Sequence, residues 1–401
     1  MNIFKKVYCR TVQIAFRIAL PILPYRKPEI LGSLSDIPNV IEKLNYKNVL
    51  LVTDPNLRSR GTTKELEEQL VEAGFNLVVY DKGLSNPTVD NVLDAYKVFK
   101  DNNCECIIGF GGGSPMDLAK AVGAKAAYPN KDLRKLFGTL KVLRKIPTLF
   151  AIPTTAGTGS EVTLSAVITD SDTHQKYPMN SFPLIPKYAV LDPKVTYTLP
   201  QNFTSTTGMD ALTHAVEAYI GRSTTKETRQ CSLDAVKLIF DNILDAYNDG
   251  YNEEARRNML HASFKAGLAF SKSYVGYVHA IAHTLGGKYN VPHGLANSIV
   301  LPYVLEAYGK SVHKKLYKLS IHLGLVDEDA SYEEGAKAFI DAIKYLNASM
   351  NIPTKVEKLR EEDIPYMAKN ADKEANPLYP VPTLMNALEL EELYKMLIDK
   401  K

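Results

Sequence analysis

The sequence predicts an α/β amino-terminal domain built on a mostly parallel sheet, followed by an all-helical carboxyl-terminal domain. Three observations lead there. From about Lys47 short apolar runs alternate with helical periodicity. Two of those runs open directly into loops rich in glycine and hydroxyl side chains. Beyond Pro200 long stretches of helical period continue with hardly any strand signal.

In chain order, Asn48–Asp54 reads as a strand, Thr63–Ala73 as a helix stopped by Gly74, and Asn76–Tyr80 as a strand. Val89–Lys100 is helical, and Cys104–Phe110 is a strand entering a glycine cluster. Thr148–Pro153, Ser165–Thr169 and Ala189–Asp192 complete the strand candidates. The helical half is expected at Asp210–Ile220, Lys226–Tyr247, Glu253–Phe270, His279–Leu285, Ser311–Leu323 and Tyr332–Leu346. The boundary is placed near Leu199–Phe203, giving domains over residues 1–200 and 201–401, the first carrying a basic amphipathic extension over residues 1–28.

That extension puts Lys5, Lys6 and Arg10 ahead of an apolar run from Val12 to Leu23, interrupted by Arg17 and broken by Pro21 and Pro24. No small-residue cleavage pattern follows, and the run is too short to span a bilayer. Phe4, Val7, Thr11, Ile14 and Ile18 recur at helical spacing, so this face is expected to dock on the protein's own surface or on a partner subunit, with membrane association as the alternative.

Composition bounds the function. A chain of 401 residues with 45% hydrophobic and 23% charged residues is an ordinary globular protein, and a formal charge of +3 gives no broad face for nucleic acid. Cys9, Cys104, Cys106 and Cys231 match neither a zinc ribbon nor a disulfide framework, which points to reduced thiols and a cytoplasmic location.

Chemistry concentrates in a few segments. In Gly111-Gly112-Gly113-Ser114-Pro115-Met116-Asp117, Ser114 is expected to cap a helix, Pro115 to take its first position and Asp117 its first turn, where Asp117 is also counted among the cofactor-binding residues. Bare glycines and unpaired helix N–H groups suit a pyrophosphate, although a tight turn with no ligand fits the same residues. In the loop Pro153 to Glu161, Thr154, Thr155, Thr158 and Ser160 offer hydroxyls to phosphate or carboxamide oxygens. Two such loops at strand ends of one sheet point to a dinucleotide. Asp54, closing its strand, is placed to accept from ribose hydroxyls and favours NAD, whereas Arg58 and Arg60 nearby would suit the extra phosphate of NADP. Asp210 and His214 share a helix face four residues apart, and His279 and His283 repeat that spacing, with His293 opening a further element. A carboxylate with several imidazoles suits Fe(II) or Zn(II) and leaves coordination positions open.

The segments GGGSPMDLAK, PTTAGTGSEVT, GMDALTHAVEAY and HAIAHTLGGKYNVPHG resemble the signature motifs of the iron-containing, or group III, alcohol dehydrogenases, and the likeness runs from about Lys47 to Pro302. The resemblance implies metal ligation by Asp210, His214, His279 and His293, with His283 a catalytic histidine beyond the ligands. It implies dinucleotide contacts from Gly112, Gly113, Ser114, Thr154, Thr155, Thr158 and Lys176. The function it implies is interconversion of a small primary alcohol or diol and its aldehyde or ketone with NAD(H), in a homodimer or larger assembly. Polyol oxidation of the glycerol dehydrogenase kind is a variant of that reading. A lyase of the dehydroquinate synthase kind is the rival, but would call for Lys and Arg around the metal, where the sequence near His279 and His293 is mostly apolar or neutral. Two stretches depart from the family pattern, the extension before Pro28 and Ser271 to Gly276. Phe270, Tyr274 and Tyr277 read equally as a substrate pocket or as core.

Overall fold

The computed structural model of the protein describes residues 1–173 and 175–399. The chain divides into two compact units: Pro24–Leu199, and Met1–Leu23 together with the residues from Pro200 onward. The break falls where the periodicity changes. The amino-terminal extension departs from the expected division: Met1–Leu23 belong with the helical unit, and only its last five residues stay with the α/β unit. The cause lies in its hydrogen bonds, since helix α1 (Ile3–Ala19) reaches residues 372–382 through Lys5, Arg10 and Gln13.

The α/β unit runs β1 (Glu29–Leu31), α2 (Asp36–Lys43), β2 (Asn48–Val52), α3 (Pro55–Ser59), α4 (Lys64–Glu72), β3 (Asn76–Tyr80), α5 (Val89–Asp101), β4 (Cys106–Gly111), α6 (Gly113–Ala127), β5 (Gly138–Thr139), β6 (Thr148–Pro153), β7 (Ser165–Thr169), β8 (Lys176–Asn180) and β9 (Tyr188–Val190). Six strands form a wholly parallel sheet in the order β1-β9-β6-β4-β2-β3. Alternate residues enter two cores. Leu50, Val52, Ile107 and Leu149 face one side with α5 and α6, while Val49, Leu51, Ile108 and Phe150 face the other with α2 and α4. Burial on both faces explains why these strands read as unbroken apolar runs. Strands β5, β8 and β7 make a small separate sheet, so Ser165–Thr169 is a strand as expected but lies outside the main sheet. The thiols of Cys9, Cys104 and Cys106 are buried, and burial pushes that of Cys104 up to about 11.

After β3 the chain crosses back to place β4 on the other side of β2, so the order reverses between β2 and β4. A crevice at the carboxyl ends of strands is expected at such a reversal. The loops leaving β2, β4 and β6 carry Asp54, Gly112–Ser114 and Thr154–Ser160.

The helical unit contains α7 (Gln201–Ile220), α8 (Lys226–Asn248), α9 (Glu253–Ser273), α10 (Tyr277–Tyr289), α11 (His293–Tyr308), α12 (Lys310–Leu323), α13 (Tyr332–Ser349), α14 (Ile364–Ala375) and α15 (Ala387–Leu397). Several begin at side-chain caps: Thr225, Ser331 and Asn386 each form a reciprocal capping box with the third helical residue. The extra residues of α7 ahead of Asp210 include Thr206 and Thr207, whose hydroxyls bond back to Asn202 and Phe203 carbonyls and so sit within a helix despite their turn preference.

Candidate functional site

In the α/β unit the glycine cluster forms the expected strand-to-helix turn, with one correction. Gly112, not Ser114, is the cap of α6, and its extended backbone starts the helix at Gly113, so Ser114 and Pro115 are the second and third helical residues and Asp117, the fifth, lies beyond the first turn. Gly111 has φ 151°, and a β-carbon there would lie 2.6 Å from Pro115 Cγ, so the turn needs glycine. Ser114 donates its hydroxyl to the Ser85 carbonyl (2.6 Å). The second loop lies alongside: Thr154 N donates to Gly111 O (3.0 Å), and Thr158 packs against the bare α-carbon of Gly113. Thr154 is buried, while Thr155 and Thr158 are half-buried.

Asp117 and Ser160, expected among the dinucleotide contacts, are hydrogen-bonded within the scaffold. Ser160 Oγ donates to Asp117 Oδ1 (2.9 Å), and Asp117 Oδ2 accepts from Val167 N (2.9 Å). Both carboxylate oxygens therefore tie α6 to the second loop and to β7. Lys120, which sequence reasoning passed over, completes the knot. Its fully buried ammonium lies 2.9 Å from Ser160 Oγ, 3.1 Å from Thr163 O and 2.7 Å from Ser165 O. Burial lowers its pKa to about 8, against the pull of Asp117 and Glu161. Asp54 caps α3, its Oδ1 accepting from Asn56 N (2.9 Å) and Leu57 N (3.0 Å). Arg58 is held by Asp81 (2.8 Å) and Glu67 (3.4 Å). Lys176 opens β8 in the small sheet, paired with Thr169.

In the helical unit, α7, α10 and α11 bring Asp210, His214, His279 and His293 together, with one ligand atom from each lying within 4.8 Å of the others. Helical spacing places Asp210 and His214 on one face of α7. The start of α11 approaches α7 so closely that a β-carbon on Gly294 would lie 2.4 Å from Thr206 O, which glycine alone permits beside His293. His293 Nε2 is 3.5 Å and His279 Nε2 4.0 Å from Asp210 Oδ1. The His214 and His279 rings stack at 4.5 Å, and Phe270 covers the other face of His214 at 4.0 Å.

This donor set fits a divalent cation. Burial first, then the neighbouring His214, His293 and His283, hold the His279 pKa well below 6.5, so its imidazole is neutral as ligation requires. The amide Nδ2 of Asn297 sits among the same atoms, 2.6 Å from Asp210 Oδ1, 3.2 Å from His279 Nε2 and 3.1 Å from His293 Nε2. The positive end of an amide dipole thus sits against three of the four electron-pair donors. Asn297 lies four residues beyond His293 on α11, a spacing that could have disclosed it.

Two carboxylates stand behind the histidines, and neither was singled out from sequence. Glu217 accepts from His279 Nδ1 (2.7 Å), Gly276 N (2.8 Å) and Val278 N (2.9 Å). It follows Asp210 by seven residues on α7, again a helical repeat. Burial raises its pKa to about 7, against those three donors. Glu374 accepts from His283 Nδ1 (2.6 Å) and from the Tyr379 hydroxyl (2.8 Å). Nothing in the spacing links residue 374 to residue 283. Burial depresses the His283 pKa, but the Glu374 hydrogen bond and charge outweigh it, so the net shift is upward. The His283 ring stacks on His293 at 5.2 Å and stands outside the four-residue cluster. Of the three aromatic candidates, Phe270 lies against the cluster, whereas Tyr277 is core, its hydroxyl 2.9 Å from Met385 O. Tyr274 meets Phe16 edge-on at 4.9 Å.

Comparison with known proteins places both units in one family. Residues 30–193 match the model for iron-containing alcohol dehydrogenase, and residues 204–398 that for the Fe-containing alcohol dehydrogenase family, C-terminal. The chain is 38% identical over 368 residues to 1,3-propanediol dehydrogenase of Citrobacter freundii, covering 91% of this chain and 95% of that protein. It is 37% identical over 348 residues to alcohol dehydrogenase 4 of Saccharomyces cerevisiae (strain YJM789), covering 86% and 89%. A crystal structure of 1,3-propanediol oxidoreductase superposes with a TM-score of 0.90 at 34% identity, covering 93% of this chain and 99% of that one. With two glycine-rich turns on a parallel sheet and a carboxylate–histidine cluster in a helical unit, the chain belongs to the iron-containing alcohol dehydrogenase family of oxidoreductases.

Proposed function

We propose that the protein interconverts a small primary alcohol or diol and the corresponding aldehyde, using NAD(H) and one divalent iron held by Asp210, His214, His279 and His293. The observation that carries this is the convergence of those four ligand atoms within 4.8 Å. When bound, the cation supplies a Lewis acid for the substrate oxygen and NAD supplies the hydride acceptor. Zn(II) satisfies the same donors, and iron is preferred on the family's chemistry. His283, backed by Glu374 and Tyr379, holds and passes the hydroxyl proton at its Nε2.

Gly112, Gly113, Ser114, Thr154, Thr155 and Thr158 bind the dinucleotide in this reading, and Lys176 contributes from β8. Asp117, Ser160 and Lys120 position the two loops. The remaining Asp54 oxygen serves the adenosine ribose. Neutralisation of Arg58 by Asp81 and Glu67 supports NAD over NADP, since it leaves less positive charge for a 2′-phosphate. The groups found against the cluster, Asn297, Glu217, Phe270 and His283, supply no Lys or Arg for a sugar phosphate. Assembly as a homodimer or larger oligomer follows from the family likeness, and a cytoplasmic location from the buried thiols.

The test is formation of NADH from NAD with a panel of short primary alcohols, diols and polyols, and its consumption with the matching aldehydes, using protein reconstituted with Fe(II) or Zn(II). Net NADH turnover favouring short alcohols or diols supports the reading. No net turnover with any of them contradicts it.

A further inference from the structure

Helix α1 is turned the opposite way from a helix that completes a core. Its buried positions are Cys9 and Gln13, Phe16 meets Tyr274 edge-on at 4.9 Å, and its hydrogen bonds reach the helical unit from the same side: Lys5 pairs with Asp372, Arg10 donates to the Val381 and Pro382 carbonyls, and Gln13 to those of Pro377 and Tyr379. Phe4, Val7, Ile14 and Ile18, expected from periodicity to dock on the protein's own surface or on a partner subunit, point away from the chain, and Tyr8 joins them there. Phe4 is 83% and Ile18 71% exposed, and Ile22 just beyond the helix is 83% exposed. At 3.6 residues per turn these positions form one stripe along the helix, with Thr11 in its middle. Single exposed apolar residues are commonplace, but a continuous stripe marks a surface with an occupant.

Charge identifies that occupant. Residues 1–28 contain six Lys or Arg and no Asp or Glu, while the rest of the chain carries 42 basic against 45 acidic residues. Lys5 and Arg10 are turned toward the protein, but Lys6 and Arg17 are exposed on the flank between the apolar stripe and the buried Gln13. An apolar face edged by cations is the pattern of a helix lying in the plane of a bilayer, its side chains in the acyl boundary and its charges among anionic headgroups. A symmetric contact between two copies through this stripe would instead oppose two wholly basic segments. No described helix is long and apolar enough to cross a membrane, so any attachment through α1 is peripheral. We infer that α1 docks the protein on an anionic lipid surface through Phe4, Val7, Tyr8, Ile14 and Ile18, steered by Lys6 and Arg17.

The test is co-sedimentation of the full chain with vesicles of phosphatidylcholine alone or containing about 30 mol% phosphatidylserine, at low and high salt. Wild type is expected to bind the phosphatidylserine vesicles and to lose binding at high salt. Replacing Lys6→Glu and Arg17→Glu together should weaken partitioning by about tenfold or more. The triple variant Phe4→Ser, Ile14→Ser, Ile18→Ser should abolish binding while leaving the dehydrogenase rate in solution unchanged. Should the triple variant fail to fold, the two-charge variant carries the test. Equal binding to neutral and anionic vesicles overturns the inference, as does no binding by wild type. A wild-type assembly that ignores vesicles and loses mass in the triple variant also overturns it, assigning the face to a second copy.

Discussion

The Nδ1 atom of His279 lies 2.7 Å from Oε2 of Glu217, in a pair that is almost wholly buried. That hydrogen bond fixes the tautomer which leaves Nε2 free to face Asp210 and His293. Because Gly276 N and Val278 N occupy the same carboxylate, an amide in its place cannot satisfy all three donors. Glu217→Gln is therefore expected to weaken cation affinity about 10–100-fold, read by competition against a chelator. Affinity within twofold of wild type would remove Glu217 from the site.

His283 is expected to act on the proton and not on the cation, since it stands outside the cluster and bonds Glu374. His283→Ala should retain the metal content but lower kcat by roughly 10²–10⁴-fold and remove one limb of the pH–rate profile. Because Glu374 keeps His283 protonated to higher pH, the wild-type limb for alcohol oxidation should rise above the ordinary histidine range. An unchanged profile in the variant contradicts the role.

Glu161 supplies a pH test of stability in the other unit. It is 1% exposed, and burial pushes its carboxyl up to about 7 from 4.5, against its own backbone N–H and Lys120. Between those values the folded protein holds a proton that the unfolded chain has released. Stability is therefore lost as pH rises from about 4.5 through about 7, by an amount of order 1–3 kcal/mol. Glu161→Gln should flatten this dependence, which thermal unfolding at pH 5 and pH 8 measures. A slope equal to that of wild type would show that Glu161 is not its source.

Arg10 holds the turn after α14 by bonding Val381 O (2.7 Å) and Pro382 O (2.9 Å). Arg10→Ala leaves both half-buried carbonyls without these partners and should destabilise the helical unit by about 1–3 kcal/mol, with faster amide exchange over residues 376–382. Wild-type exchange there would mean that α1 is not a brace.

The sequence disclosed what depends on short spacing. The pairs Asp210/His214 and His279/His283 are helical neighbours, and strands such as Asn48–Val52 and Thr148–Pro153 stand out because both faces are buried. Glu374 escaped notice because it reaches His283 across 91 residues of chain. Periodicity shows that one face of α1 is apolar without showing what it meets, and of the expected occupants only the chain's own surface is ruled out. Asp117 and Ser160 looked like ligand contacts for a related reason: a polar side chain in a glycine-rich loop serves either a ligand or the loop itself, and here the partners are Lys120, Val167 and each other. Helices α2, α3, α14 and α15 went unassigned and α11 was read only as a new element opened by His293; β1 and β5 are too short to carry a pattern, and β8 is mostly polar or exposed with Pro178 inside it.

The account turns on one cation site. Protein purified without oxygen, stripped by chelator and titrated with Fe(II) should regain NADH turnover in proportion to bound iron, saturating near one ion per chain, and His214→Ala with Asp210→Ala should abolish both binding and recovery. Full turnover by the stripped protein, or recovery undiminished in that double variant, would contradict it.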